Sequence, residues 1–208
     1  MKHFLFLRHG QIEESYRGLF YGQMDVPLSE EGKKKSLEVV DILSEIPIRA
    51  IYSSPLQRAL FPAKLLAQKK SLSLHLREEL KEINYGEWTG QPREIILQKP
   101  LFWERLKNEN LSPPGGESLR SLRERARKFW EELKNLEEDG FFTIFTHGGF
   151  IRALLCEILN LHTSFFFAFE TYHLKGPLIT YFKDGNFVIR GINFDIPRLP
   201  SLLKESYW

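Results

Sequence analysis

One cysteine, Cys156, two methionines and a formal net charge of only +2 mark what this 208-residue chain has little of. A single cysteine cannot close an internal disulfide. That excludes a stapled extracellular framework and leads us to expect a reducing, cytoplasmic setting. Within its apolar helical run Cys156 reads as a small buried hydrophobe. With 29 Lys and Arg against 27 Asp and Glu, there is no electrostatic case for nucleic acid or a membrane surface as partner. No apolar run approaches the ~20 residues of a membrane span. The opening Met1-Lys2-His3-Phe4-Leu5 enters a strand pattern directly, without a small-residue cleavage site. Repeats, low-complexity tracts and linkers are also missing, so one domain over 1–208 is expected, long enough to bury a core.

Two short apolar runs stand out, each stopping at polar residues and glycine: Leu5-Phe6-Leu7-Arg8-His9-Gly10 and Thr143-Ile144-Phe145-Thr146-His147-Gly148-Gly149. Runs of this kind read as strands buried on both faces. In open α/β sheets, ligands bind beyond the carboxyl ends of such strands. A lone histidine there is usually just a hydrogen-bonded surface residue. Two such ends suggest a polar pocket holding two imidazoles and a guanidinium, groups suited to phosphate.

Between these runs the chain alternates strand and helix signals. Residues 10–27 form a turn-rich loop carrying Gln11, Ser15, Arg17, Tyr21, Gln23 and Asp25. Ser29 is a good N-cap for a helix to about residue 45, with Glu30 and Glu31 at its positive end. A second strand, 49–53, is followed by Ser54-Pro55, which predicts a helix over 55–68 with Pro at its first position. Arg58 would then lie in the first turn, where an anion would meet it together with the helix N–H groups. Residues 73–77 alternate as an edge strand does. The irregular stretch 78–90 that follows holds Glu78, Glu79, Glu82 and Glu87 near Ile83, Tyr85 and Trp88. An acid among such groups is suited to general acid work, although composition does not choose between the four. Helices are predicted over 93–108 and 118–136, a buried strand over 141–146, a helix over 150–159 and a hairpin turning at Asp184-Gly185. The charge run from Arg120 to Arg127 reads as a solvated face, Phe165-Phe166-Phe167 as core or pocket wall. The tail 194–208, ending in Tyr207-Trp208, shows no period.

Four ordered elements resemble the histidine phosphatase superfamily, also called phosphoglycerate mutase-like. They are Leu7-Arg8-His9-Gly10, Ser53-Ser54-Pro55-Leu56-Gln57-Arg58-Ala59, Glu82-Ile83-Asn84-Tyr85-Gly86-Glu87-Trp88-Thr89-Gly90 and Thr146-His147-Gly148-Gly149. The loop Gly22 to Gly32 and the helix start Gly115-Gly116-Glu117-Ser118 are similar as well. The resemblance runs to about residue 160 and implies a three-layer α/β/α sandwich over a mostly parallel sheet. It implies a nucleophile at His9, phosphate clamps at Arg8, Arg58 and His147, and a proton donor at Glu82. The pattern departs at Gln11, Ile12 and Ser15, where the family has Glu or Ser, Thr and Asn. It also lacks the family's asparagine near Lys175-Gly176-Pro177.

What the resemblance implies is a phosphatase that hydrolyses a small phosphorylated metabolite through a phosphohistidine, without metal or cofactor. The remaining histidines, His3, His75, His162 and His173, show no ligand spacing. His147, if protonated, would add a third cation to the two arginines. Substrate choice is assigned to Ser15, Tyr21, Gly22 and Gln23, to Tyr85, Trp88 and Gly148, and to the tail. α-Ribazole phosphate and phosphoserine stand as equal substrate candidates. A cofactor-dependent phosphoglycerate mutase is disfavoured because the arginine-rich insertion of that branch is missing after Gly90. A non-catalytic partner subunit on the same fold is the other alternative, and assembly as a homodimer stays open.

Overall fold

In the computed structural model, which describes residues 1–203, strand β1 (Lys2–Arg8) lies in the interior of a six-stranded sheet of order β3-β2-β4-β1-β5-β6. The partners are β2 (Ile48–Ser53), β3 (Leu74–Leu76), β4 (Gly140–Thr146), β5 (Leu178–Tyr181) and β6 (Phe187–Gly191). Strands β3, β2, β4 and β1 run parallel, while β5 and β6 form an antiparallel hairpin added beside β1. The expected hairpin and mostly parallel sheet are both present.

The period-2 geometry of a strand sends alternate side chains to opposite faces, and β1 uses both. Phe4 and Phe6 pack with α5 (Leu119–Lys134) and α6 (Gly148–Ile158) on one side. Leu5 and Leu7 pack on the other with α1 (Glu30–Ser44), α2 (Gln57–Lys70) and, through Leu199, with α7 (Leu199–Leu202). That is a three-layer α/β/α sandwich. Cys156, on α6, is fully buried.

The Ser29 side chain caps α1 as expected, accepting from Gly32 N at 3.0 Å. Three boundaries differ from the sequence reading. Helix α2 starts at Gln57 and not at Pro55, because its cap comes from a distance: Gln57 N donates to Asp25 Oδ1 at 2.7 Å. The expected anion position at this helix start is therefore filled by the protein's own carboxylate. The single helix expected over 93–108 is two, α3 (Arg93–Leu97) and α4 (Pro100–Lys107), since a proline disfavours helical backbone in the residue before it. Helix α6 begins two residues early, at Gly148, with His147 as its N-cap. In the tail a 3-10 turn, Ile196–Arg198, leads into α7, and Tyr207 and Trp208 lie outside the described residues.

Candidate active site

The parallel pairing of β1 with β4 sets Arg8 opposite Thr146, so Arg8-His9 and Thr146-His147 leave the sheet side by side. The backbones are tied by His9 N donating to Thr146 O (3.0 Å), and Ser54 N, at the end of β2, donates to Phe145 O (3.0 Å). Three adjacent strand ends thus deliver His9, His147 and Ser54 to one place, with Arg58 following on α2.

His9 is fully buried, and its Nδ1 lies 2.7 Å from the Gly10 carbonyl. A carbonyl only accepts, so Nδ1 carries the proton and Nε2 is left with its lone pair. Burial lowers the His9 pKa well below 6.5, and the positive charges of Arg58 and Arg8 lower it further. The His9 imidazole is therefore held neutral. The ring lies 5.2 Å from that of His147, between centroids.

His147 bonds through Nε2 to Ser54 Oγ at 2.8 Å, and its pKa too is driven well below 6.5 by burial, then by Arg58, Arg125 and Arg8. Without an anion beside it, His147 is a neutral partner and not the third cation the sequence reading allowed. The positive charge rests on the two arginines. Arg58 has no exposed surface; its Nη1 and Nη2 donate to the Met24 and Gly22 carbonyls at 2.8 and 2.6 Å, beneath the Tyr21 ring. Gly22 offers that carbonyl at φ +44°, where a Cβ would come within 2.8 Å of Ile83 O. Arg8 Nη1 donates to the Thr171 carbonyl at 2.7 Å.

Four nitrogens in this group are buried with no partner: Arg8 Nε, His9 Nε2, Arg58 Nε and His147 Nδ1. Buried polar atoms are rarely left unpaired, and those that are mark functional sites or unseen ligands. Two guanidiniums and two imidazoles converging in this way suit an oxyanion with several acceptor oxygens.

Glu82 lines a cleft together with Arg8, Tyr21, Gly22, Tyr85 and Gly148, whereas His9, Arg58 and His147 are fully buried and do not reach its lining. The Glu82 oxygens accept from Ile83 N (2.9 Å) and Gly149 N (3.1 Å). A Cβ on Gly149 would come within 2.1 Å of Glu82 Oε1, so only glycine admits the carboxyl there. The competing acids lie elsewhere: Glu78 pairs with Lys81, Glu79 with Arg77, and Glu87 is exposed.

Three expected substrate contacts are placed differently. Ser15 is exposed on the 3-10 turn Glu14–Tyr16, away from the cleft lining. Gln23 turns under the site, its Nε2 donating to the Glu82 carbonyl at 2.9 Å. Trp88 is buried with Phe20, Ile96 and Phe102, supporting the cleft from below. Of the three phenylalanines at 165–167, Phe166 and Phe167 are indeed pocket wall.

Other residues at the site escaped the sequence reading. His173 Nδ1 lies 2.9 Å from the His9 carbonyl, with its ring 5.5 Å from the His9 ring. Arg125, within the charge run expected to be solvated, is half-buried. It bonds Glu117 through Nε at 2.7 Å and donates to the carbonyls of Glu79, Lys81 and Glu82 at 2.5, 2.6 and 3.1 Å. Among the described residues no three His, Cys, Asp or Glu side chains gather as a metal ion would require, and no helix is long and apolar enough to cross a membrane.

A family model described as the histidine phosphatase superfamily (branch 1) matches residues 4–195. Phosphoserine phosphatase 1 of Hydrogenobacter thermophilus is 32% identical over 168 residues, covering 79% of this chain and 80% of that protein. The adenosylcobalamin/alpha-ribazole phosphatase of Salmonella typhimurium is 24% identical over 163 residues, covering 74% and 78%. Among solved structures, a mycobacterial glucosyl-3-phosphoglycerate phosphatase superposes with a TM-score of 0.81 at 23% identity, over 93% of this chain and 99% of that one. At that identity the superposition speaks for the fold.

Proposed function

Because the chain belongs to the histidine phosphatase superfamily, we propose that its cleft hydrolyses a small phosphomonoester through a phosphohistidine formed at His9. The carrying observation is the pinned His9: Nδ1 held by the Gly10 carbonyl and Nε2 unpartnered beside three other unpartnered nitrogens. The Nε2 lone pair attacks phosphorus, the P–O ester bond breaks, and Glu82 gives its proton to the departing alkoxide. Arg8 and Arg58 bear the charge on the equatorial oxygens. His147 joins them as a donor, and an arriving phosphate dianion favours its protonated form by opposing the arginine charges. In the second half Glu82 takes a proton from water and the resulting hydroxide attacks phosphorus. The P–N bond then breaks, its electron pair returning to His9 Nε2.

The test is phosphate release from p-nitrophenyl phosphate and alkyl phosphates after exhaustive EDTA treatment. Release is expected to survive chelation and to vanish in His9→Ala. A lowered pKa keeps His9 neutral to lower pH. So kcat/KM, corrected for substrate ionisation, should stay level through pH 6.5 and fall only at more acid pH. Loss of turnover on chelation, or an acid limb centred on 6.5, would refute this reading.

A further inference from the structure

His9 is fixed by more than its neighbours in sequence. Its N–H donates to Thr146 O at 3.0 Å, and its Nδ1 lies 2.7 Å from the Gly10 carbonyl. A further hold comes from 164 positions away, where His173 Nδ1 lies 2.9 Å from the His9 carbonyl. A carbonyl only accepts, so His173 is the donor. Among the described residues no other protein group donates to the His9 carbonyl.

His173 belongs to a strap, residues 171–175, bonded to the end of β1. Leu174 N donates to Arg8 O at 2.9 Å, Arg8 N to Lys175 O at 3.1 Å, and Arg8 Nη1 to Thr171 O at 2.7 Å. Leu174 is buried with φ +57°, a left-handed conformation that a bulky residue keeps only where its surroundings hold it. Asn193 supplies part of that hold: Tyr172 N donates to its Oδ1 at 3.0 Å, and its Nδ2 donates to Glu170 O at 2.9 Å. At this turn adjacent residues serve adjacent carbonyls, His173 that of His9 and Leu174 that of Arg8.

We propose that His173 is a positioning residue for His9: its N–H holds the His9–Gly10 peptide plane, and through it the carbonyl that keeps the proton on His9 Nδ1. The inference rests on the phosphatase reading above, which makes His9 Nε2 the attacking atom. Gly10 has the wide backbone freedom of a glycine, so its carbonyl is only as fixed as the residues on either side. After it stands Gln11, whose carbonyl accepts from Ser29 N at 2.9 Å. Before it stands the plane that His173 holds. With that plane released, the Gly10 carbonyl can turn away from Nδ1 and the proton can pass to Nε2. A protonated Nε2 in a neutral ring has no lone pair for phosphorus. His173 is itself exposed, so shortening it opens no core cavity.

The experiment compares the native protein with His173→Ala and with His173→Asn, whose amide nitrogen offers a donor near the place of the imidazole Nδ1. Nitrogen NMR of protein with isotope-labelled histidine reads the His9 tautomer without turnover, the His9 signals being those lost in His9→Gln. The native protein and His173→Asn are expected to show a protonated Nδ1 and a bare Nε2, and His173→Ala a mixture of tautomers. In turnover, His173→Ala should slow p-nitrophenyl phosphate and an alkyl phosphate alike, by about 10²-fold, and His173→Asn should recover most of the loss. Binding of inorganic phosphate, followed by calorimetry, should stay close to native in both variants, because Arg8 and Arg58 keep their bonds. A native tautomer in His173→Ala, or a His173→Asn as slow as His173→Ala, would overturn the positioning role. Phosphate binding that falls in step with the rate would overturn it too, since the site would then be lost as a whole. A tautomer change in a protein that hydrolyses nothing keeps the hold on His9 and refutes the phosphatase, whereas hydrolysis with a silent His173→Ala does the reverse.

Discussion

At the scale of single residues, the protein keeps one imidazole in the form the proposed reaction needs. His9 stays neutral because burial and neighbouring cations oppose its protonation, while one carbonyl fixes which nitrogen is free. Glu82 lines the cleft, its carboxyl oxygens accepting from two backbone N–H groups. General acid catalysis matters in proportion to how poor the leaving group is. Glu82→Gln should slow an alkyl phosphate by about 10²–10⁴ but scarcely slow p-nitrophenyl phosphate, whose phenolate departs unprotonated. Glu87→Gln, at an exposed position, should resemble the native protein on both. Equal damage to both substrates in Glu82→Gln would instead point to a disturbed clamp. As candidates, His9, Arg8, Arg58, His147 and Glu82 were legible in the ordered motifs. His173 was not, because a lone histidine with no partner at fixed spacing carries no pattern; its role arises from the fold bringing it to the His9 carbonyl.

At the scale of elements, strands and helices were read from periodicity, but the contacts between them were not. The start of α2 illustrates the difference. Ser54-Pro55 carries the local signature of a helix start, yet the cap comes from Asp25, 32 positions away. The Ser54 hydroxyl accepts from Leu56 N at 3.3 Å and bonds His147 Nε2 at 2.8 Å. The charge run on α5 is a second case: its composition suits a solvated face, while Arg125 turns inward to gather three carbonyls of the acid-bearing segment and the Glu117 carboxylate. On the proposed mechanism Arg125 would act as a positioning residue for Glu82. Arg125→Met strands a half-buried carboxylate and three carbonyls, and should cost about 3–5 kcal/mol of stability. Below the melting transition, its turnover of alkyl phosphates should fall further than that of p-nitrophenyl phosphate, since the acid moves while the clamp stays. A uniform loss on both substrates would assign Arg125 a purely structural part.

At the scale of the whole molecule, function depends on an adjacency that no local pattern discloses. Strands β1 and β4 lie more than a hundred residues apart in sequence, yet pair in parallel with Arg8 opposite Thr146, and β2 pairs on the far side of β4. The three-layer class was legible through the family resemblance, with which the alternating strand and helix signals agree. The strand order was not, because fully buried apolar runs look alike and do not say which neighbour each will take. That order makes one site out of three distant motifs, with His9 at its centre. The most direct measurement is therefore to quench the enzyme, without acid, during turnover of a phosphorus-labelled substrate, and to follow the label on the protein. Label that is stable to alkali, lost in acid and absent from His9→Ala is the expected result; label that survives acid, or that remains on His9→Ala, would contradict a phosphohistidine at His9.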